Sequence, residues 1–250
     1  MLSTWIRRPA VVAAAAAGLT FGAGAAHAVP QFSIALVVDA SGSIDSSEWT
    51  TQVQGYANAI DNVLPADGSV GVSVVRFATS ASIVRPFAPI NNASDRTALS
   101  DFFYDGTNEL SQSGNGGVTC ISCGIEQAVD SLAGNGGTDR TLIDVSTDGV
   151  FNRGTDPDGP AGTTGTAEWA LTQSVDAVNS LGIGTGTVPD FFTGTDSFGV
   201  LAADFAELQG TLEDKLRRET GQVPEPATLA LVGAGLAGIG FASRRRRAAA

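Results

Sequence analysis

The sequence predicts a doubly wound α/β fold: a mostly parallel sheet with one antiparallel edge strand and helices on both faces. Three observations point there. Apolar runs of strand length alternate with segments whose apolar residues recur at helical spacing. Two of the runs, around Ile34–Val38 and Leu142–Val145, are apolar almost throughout, as strands covered on both faces are. Each of these two delivers an aspartate, Asp39 or Asp148, to the carboxyl end of its strand, where open α/β sheets bind ligands.

The first strand runs into Asp39-Ala40-Ser41-Gly42-Ser43. A carboxylate and two hydroxyls at alternate positions can converge on one point, and an oxygen-only set suits a hard divalent cation, Mg²⁺ first and Ca²⁺ or Mn²⁺ behind it. Taken alone, the pattern also fits a plain strand-to-helix turn. Asp45 and Glu48 have the spacing of a capping box, which is the reading of Asp45 ahead of a part in sensing the cation. Trp49, Val53, Tyr56, Ala57, Ile60 and Val63 then mark a helix with one buried face.

Val70 to Phe77 alternates as a second strand. The turn at 78–80 is too short for a crossover, so Ser82 to Phe87 is read as antiparallel, with Pro86 and Pro89 fitting an edge. Ser94-Asp95 is expected to cap a helix through Ala98, Leu99, Phe102 and Phe103. After a Gly-, Ser- and Asn-rich loop, Thr119 and Cys120 lead into a helix with Ile125, Ala128, Val129 and Leu132 inward. The strand Thr141–Ser146 ends in Thr147-Asp148-Gly149 and carries Asp144 in its interior, where a charge is costly unless paired. Asp144 is read as structural, with Arg76 as candidate partner. A loop with Asn152, Arg153, Asp156 and Asp158 precedes an expected helix through Trp169, Leu171, Val175, Val178 and Leu181. A strand at 182–187 is poorly marked, Phe198–Ala202 reads as the last strand, and Phe205, Leu208, Leu212 and Leu216 form a final helix ending near Glu219. No repeat or interior linker divides residues 29–222, which are read as one domain.

Both ends are processing signals. Residues 1–28 carry Arg7 and Arg8, an apolar stretch from Val11 to Phe21 and Ala26-His27-Ala28, the pattern of a secretory signal cut by signal peptidase. Pro9 directly after the arginines favours the general route over the twin-arginine one. Residues 223–250 hold Pro224-Glu225-Pro226, an apolar Gly-rich stretch from Ala227 to Ser243, and Arg244 to Arg247. At 1.5 Å per residue that stretch reaches about 25 Å, barely enough to cross a bilayer, with the arginines on the cytoplasmic side. This tail resembles the PEP-CTERM sorting signal of Gram-negative bacteria. The resemblance implies transient inner-membrane anchoring, cleavage near Pro224 by an exosortase, and delivery to the envelope or extracellular matrix. A permanent single-pass anchor is the alternative.

Charge narrows the function further. All 26 acidic residues but only eight of the 14 basic ones lie between 29 and 225, a net charge near −18. Such a body repels nucleic acid and favours cations. The only histidine, His27, lies in the signal segment, so His-dependent triads, His-ligated zinc and imidazole acid–base chemistry are excluded from the exported chain.

Taken together, the strand–helix alternation, D-x-S-x-S after the first strand, Thr119 on a Gly-rich loop and Asp148 after a later strand resemble a von Willebrand factor A (VWA) domain with its metal-ion-dependent adhesion site (MIDAS). More narrowly, the DASGSIDSSEW and IDVSTDG segments are similar to a bacterial VWA-like family of unknown function. The resemblance implies that Asp39, Ser41 and Ser43 form the first metal loop, Thr119 the second and Asp148 the third. It also implies an open coordination position for a partner's carboxylate. The expectation is therefore an exported, metal-dependent adhesion or protein-binding module rather than an enzyme. The alternatives are a structural envelope or matrix protein with a loop-stabilising cation and, further off, a metal-assisted hydrolase. G-x-S-x-G, H-E-x-x-H and P-loop patterns are all missing.

Cys120 and Cys123 open the helix after Thr119. In an exported chain such a pair can form a local disulfide, act as a redox couple or stay as buried thiols. Two thiols without further ligands make no structural zinc site. The favoured reading is a disulfide that stiffens the Thr119 loop.

Overall fold

Residues 29–112, 117–135 and 139–222 are described by the computed structural model. The signal segment and the sorting tail with Pro224, Glu225 and Pro226 lie outside them. Strand β1 (Phe32–Asp39) has seven of its eight residues buried and leads to helix α1 (Ser46–Val63). The predicted capping box closes that helix: Asp45 Oδ1 accepts from the backbone N–H groups of Ser47 and Glu48, and Glu48 Oε2 accepts from Asp45 N–H. Strand β2 (Val70–Phe77) pairs in parallel with β1, and β3 (Ala81–Pro89) pairs antiparallel with β2 at the edge, as the short turn requires. Helix α2 (Ala93–Phe103) is capped two residues before the expected Ser94. Asn92 is its N-cap, and Asp95 is the first-turn residue whose N–H it binds. Helix α3 (Ile121–Leu132) and strand β4 (Arg140–Thr147) follow as predicted.

The region after Asp148 departs from expectation. Only a short helix forms, α4 (Ala167–Leu171), and Val178 and Leu181 belong to strand β5 (Ala177–Ile183). All seven residues of β5 are buried, so its apolar residues serve both faces and their spacing of three mimics a helix. A two-residue strand, β6 (Thr193–Gly194), adds a second antiparallel pair, and β7 (Gly199–Ala202) pairs in parallel with β5. Helix α5 (Leu208–Glu219) closes the fold.

The strand order β3-β2-β1-β4-β5-β6, with β7 also on β5, places β1 between β2 and β4. The connections leave β1 in opposite directions, and a crevice opens at the carboxyl ends of β1 and β4. On one face Ile34, Leu36 and Val38 pack with α1, α2 and α5; on the other Ala35 and Val37 pack with α3 and α4.

Asp144 is fully buried on the α1 and α5 face, and its partner is Lys215 rather than Arg76. Arg76 is paired in register with Val38 on β1, the strand that separates β2 from β4, and its guanidinium donates to the Ser111 carbonyl. Lys215 Nζ reaches from α5 to Asp144 Oδ1 and Glu219 Oε1, each at 2.5 Å. Asn179 Nδ2 donates to the same Glu219 oxygen at 2.8 Å. Burial and then the Asp144 charge push the Glu219 carboxyl up to about 7. Two acids thus share one buried ammonium.

Candidate metal centre

Three loops meet in the crevice, and they are tied to one another pairwise. Asp39, fully buried, ends β1; its Oδ1 accepts from Ser41 N–H at 2.8 Å and its Oδ2 from the Thr147 hydroxyl at 2.6 Å. Gln52 on α1 donates to the Asp39 carbonyl at 2.9 Å. The Ser41 and Ser43 hydroxyls lie 3.0 Å apart, and Ser43 donates to Asp148 Oδ1 at 2.8 Å. These contacts join the first and third loops.

The second loop is drawn in by close backbone approach. A Cβ on Gly42 would lie 3.0 Å from Gly117 Cα and 3.2 Å from its carbonyl oxygen, so a side chain there would push the two loops apart. Thr119, buried, donates its N–H to Asn152 Oδ1 at 2.8 Å, and its carbonyl accepts from Asn152 N–H at 3.0 Å and Arg153 N–H at 3.3 Å. This exchange joins the second loop to the third.

Cys120 and Cys123 are joined as a disulfide across the first turn of α3. The third loop rests on that turn: Thr155 N–H donates to Ser122 Oγ at 3.0 Å. At Gly154, φ is 79°, and a Cβ would meet Ser122 Oγ at 2.4 Å and Cys120 Sγ at 2.6 Å. Only glycine fits both the conformation and the contact.

Burial pushes the Asp39 carboxyl up to about 6, against the lowering effect of the bonds from Thr147 and Ser41. Asp148 is also raised, by burial first and slightly by the charge of Glu48, with the Ser43 bond opposing. Neither carboxylate forms an ion pair among the described residues. A positive charge is therefore what this crevice lacks. The donors fit a hard cation, because the side chains offered are carboxylates and hydroxyls alone. Among the described residues no three His, Cys, Asp or Glu side chains group as a metal site, so a cation here depends on the serine and threonine hydroxyls.

All five residues singled out in the sequence, Asp39, Ser41, Ser43, Thr119 and Asp148, lie on these loops. Sequence reasoning missed the braces, namely Thr147 on Asp39 and Gln52 behind it, and gave Asn152 no contact. The available signal for Thr147 was its place as a hydroxyl at the very end of β4.

The sheet topology, with its loops at the carboxyl ends of β1 and β4, is that of a VWA-type domain. Among solved structures the chain is similar to proximal thread matrix protein 1 from the mussel byssus, with 19% identity, a TM-score of 0.57 and coverage of 77% of this chain and 47% of that one. A form of the mussel protein with a zinc-occupied MIDAS motif matches at 18% identity and a TM-score of 0.52, covering 75% and 47%. A von Willebrand factor type A protein from Catenulispora acidiphila matches at 18% identity and 0.54, covering 77% and 43%. The pilus adhesin SpaC from Lactobacillus rhamnosus GG, in its open conformation, matches at 19% and 0.53, covering 77% and 30%. The chain thus spans less than half of each of these structures, and the likeness is one of fold.

The chain belongs to the family described as protein of unknown function (DUF1194), whose model matches residues 29–224. Residues 222–247 match the PEP-CTERM protein-sorting motif, which implies processing by an exosortase and export to the cell envelope of a Gram-negative bacterium. No curated protein matches the chain in sequence.

Proposed function

We propose that this protein is an exported binding module in which Asp39, Ser41, Ser43, Thr119 and Asp148 hold a divalent cation completed by a carboxylate from a protein or matrix partner. The observation that carries this reading is the run of oxygens from Ser41 through Ser43 to Asp148, at 3.0 and 2.8 Å, beside a buried Asp39 that forms no ion pair among the described residues. Mg²⁺ is the first choice and Ca²⁺ or Mn²⁺ follow, since neither sulfur nor imidazole is on offer. The zinc-occupied motif of the mussel protein and the adhesin title of SpaC are in keeping with a metal-dependent contact. Binding without chemistry fits a core whose exported part carries no histidine and a single lysine, Lys215, committed to the buried cluster.

The sorting tail is proposed to hold the chain transiently in the inner membrane before exosortase cleavage. A Cβ on Gly221, just before the tail, would lie 3.6 Å from the Phe32 ring at the start of β1, whereas the metal loops lie at its far end, about 23 Å away at 3.3 Å per residue. A membrane-held chain would then present its loops away from the bilayer. Among the described residues no helix is long and apolar enough to cross a membrane.

The test is a pull-down from envelope and matrix material with wild type and Asp148→Ala, each with Mg²⁺ and with EDTA. A ligand retained only by wild type with Mg²⁺ is the expected result. A ligand set indifferent to chelator would favour the structural alternative.

A further inference from the structure

A hollow of about 270 Å³, lined by apolar and acidic residues, lies directly beside the proposed metal loops. Its lining begins at Gly149 and Val150, the residues after Asp148, and includes Ile121, two residues after Thr119. One residue separates consecutive Cα atoms by about 3.8 Å, so the hollow and the loops are neighbours on one surface. Phe151 and the buried Phe191 supply aromatic floor, and Val150, 83% exposed, stands at the mouth.

The walls are held from behind. Ser180 on β5 donates to the Pro189 carbonyl at 2.7 Å, and Ala167 N–H donates to the Pro157 carbonyl at 2.9 Å. Asp156, Asp158 and Asp190 edge its apolar surface, and among the described residues no basic one lines it. Among the described residues none of the three is in an ion pair. Asp156 Oδ1 caps the Asp158 N–H at 3.1 Å, whereas among the described residues no hydrogen bond involves the Asp158 or Asp190 carboxylates. Arg153, the basic residue of the same loop, is exposed and is likewise in no ion pair among the described residues.

We propose that this hollow receives a basic side chain of the partner, an arginine or lysine whose apolar stem covers Phe151 and Phe191 and whose charge meets Asp158 and Asp190. Rested on the metal-dependent reading, it names the partner's chemistry: a carboxylate for the cation with a basic residue close beside it. Charge favours the second group. A carboxylate drawn to the cation still meets long-range repulsion from a body of charge near −18, which a positive charge brought with it offsets. Long basic side chains suit an apolar floor with an acidic rim because stem and head are satisfied separately.

The test uses the full exported chain in nonionic detergent and four fluorescent glycine-based peptides, read by anisotropy. They carry glutamate or glutamine and, about two residues away, arginine or its neutral isostere citrulline. Wild type should bind the arginine peptides about two- to fivefold more tightly than the citrulline ones. Asp158→Asn/Asp190→Asn should lose that preference while keeping the preference for glutamate in Mg²⁺. Asp156 is left intact because it shapes the turn. Equal preference for arginine in the double variant, or no arginine preference in wild type, including no binding of any peptide, overturns the proposal. Failure of the metal reading shows separately, as a glutamate preference that is absent or indifferent to EDTA while the arginine preference persists.

Discussion

Replacing Lys215 with methionine tests how the last helix is fixed to the sheet. Lys215, Asp144 and Glu219 are fully buried, with the ammonium 2.5 Å from both carboxylates. Asp144 Oδ2 and Glu219 Oε2 meet no hydrogen-bond donor among the described residues, so without Lys215 both acids must be neutral to stay inside. Glu219, raised to about 7, already favours its proton near neutrality, and the new cost falls on Asp144. Breaking a buried pair from one side typically costs about 3–5 kcal/mol, because an uncompensated charge is left inside, and acid relieves that cost by neutralising buried carboxylates. Urea unfolding of wild type and Lys215→Met at both pH values should therefore show a gap that narrows on acidification. The wild type should itself gain from Glu219. A raised acid contributes stability fully below its unfolded value, near 4.5, and loses it as pH rises through about 7. Lys215→Met/Asp144→Asn/Glu219→Gln should recover part of the loss at pH 7. Equal stability of wild type and Lys215→Met at pH 7, or a gap that widens at pH 5, would show that the buried ammonium does not hold α5 to the sheet.

Three further outcomes follow from the loops and their supports. Asp45→Ala removes the capping box of α1 and should cost about 1 kcal/mol in thermal or urea unfolding while leaving Mg²⁺ affinity unchanged; a large loss of affinity would make Asp45 part of the cation site. Gly154→Ala forces a Cβ onto Cys120 Sγ at a φ of 79°, and should cost about 1–3 kcal/mol and weaken Mg²⁺ binding through the Asn152 brace on Thr119. Reducing Cys120–Cys123 opens a short loop and should lower stability by about 2 kcal/mol; two alkylatable thiols in untreated protein, seen by mass spectrometry, would contradict the bond.

Local chemistry made much of the fold legible, and long-range placement accounts for the rest. Strand β1 and its D-x-S-x-S loop carry their own signals, a doubly buried apolar run and hydroxyls in alternation. The capping box at Asp45 and Glu48 is likewise complete within four residues. Strand β5 was hidden because burial on both faces erases the period of two, and Val175, Val178 and Leu181 then share the spacing of a helix. The partner of Asp144 was hidden differently. Lys215 lies on a helix far along the chain, and only the sheet order shows that β1 separates Arg76 from Asp144. Among the site residues, the sequence pattern named those offering oxygens to a cation. It did not reveal the bond from Thr147 to Asp39 or the exchange between Asn152 and Thr119, since both depend on how three loops meet.

Calorimetric titration of Mg²⁺ into the purified protein, with wild type, Asp39→Ala and Asp148→Ala compared at one pH above 7 and so above the Asp39 value of about 6, decides whether the three loops hold a cation. One Mg²⁺ should bind per wild-type chain, and binding should be lost or strongly weakened in both variants. Affinity unchanged in both variants would mean that Asp39 and Asp148 hold no cation.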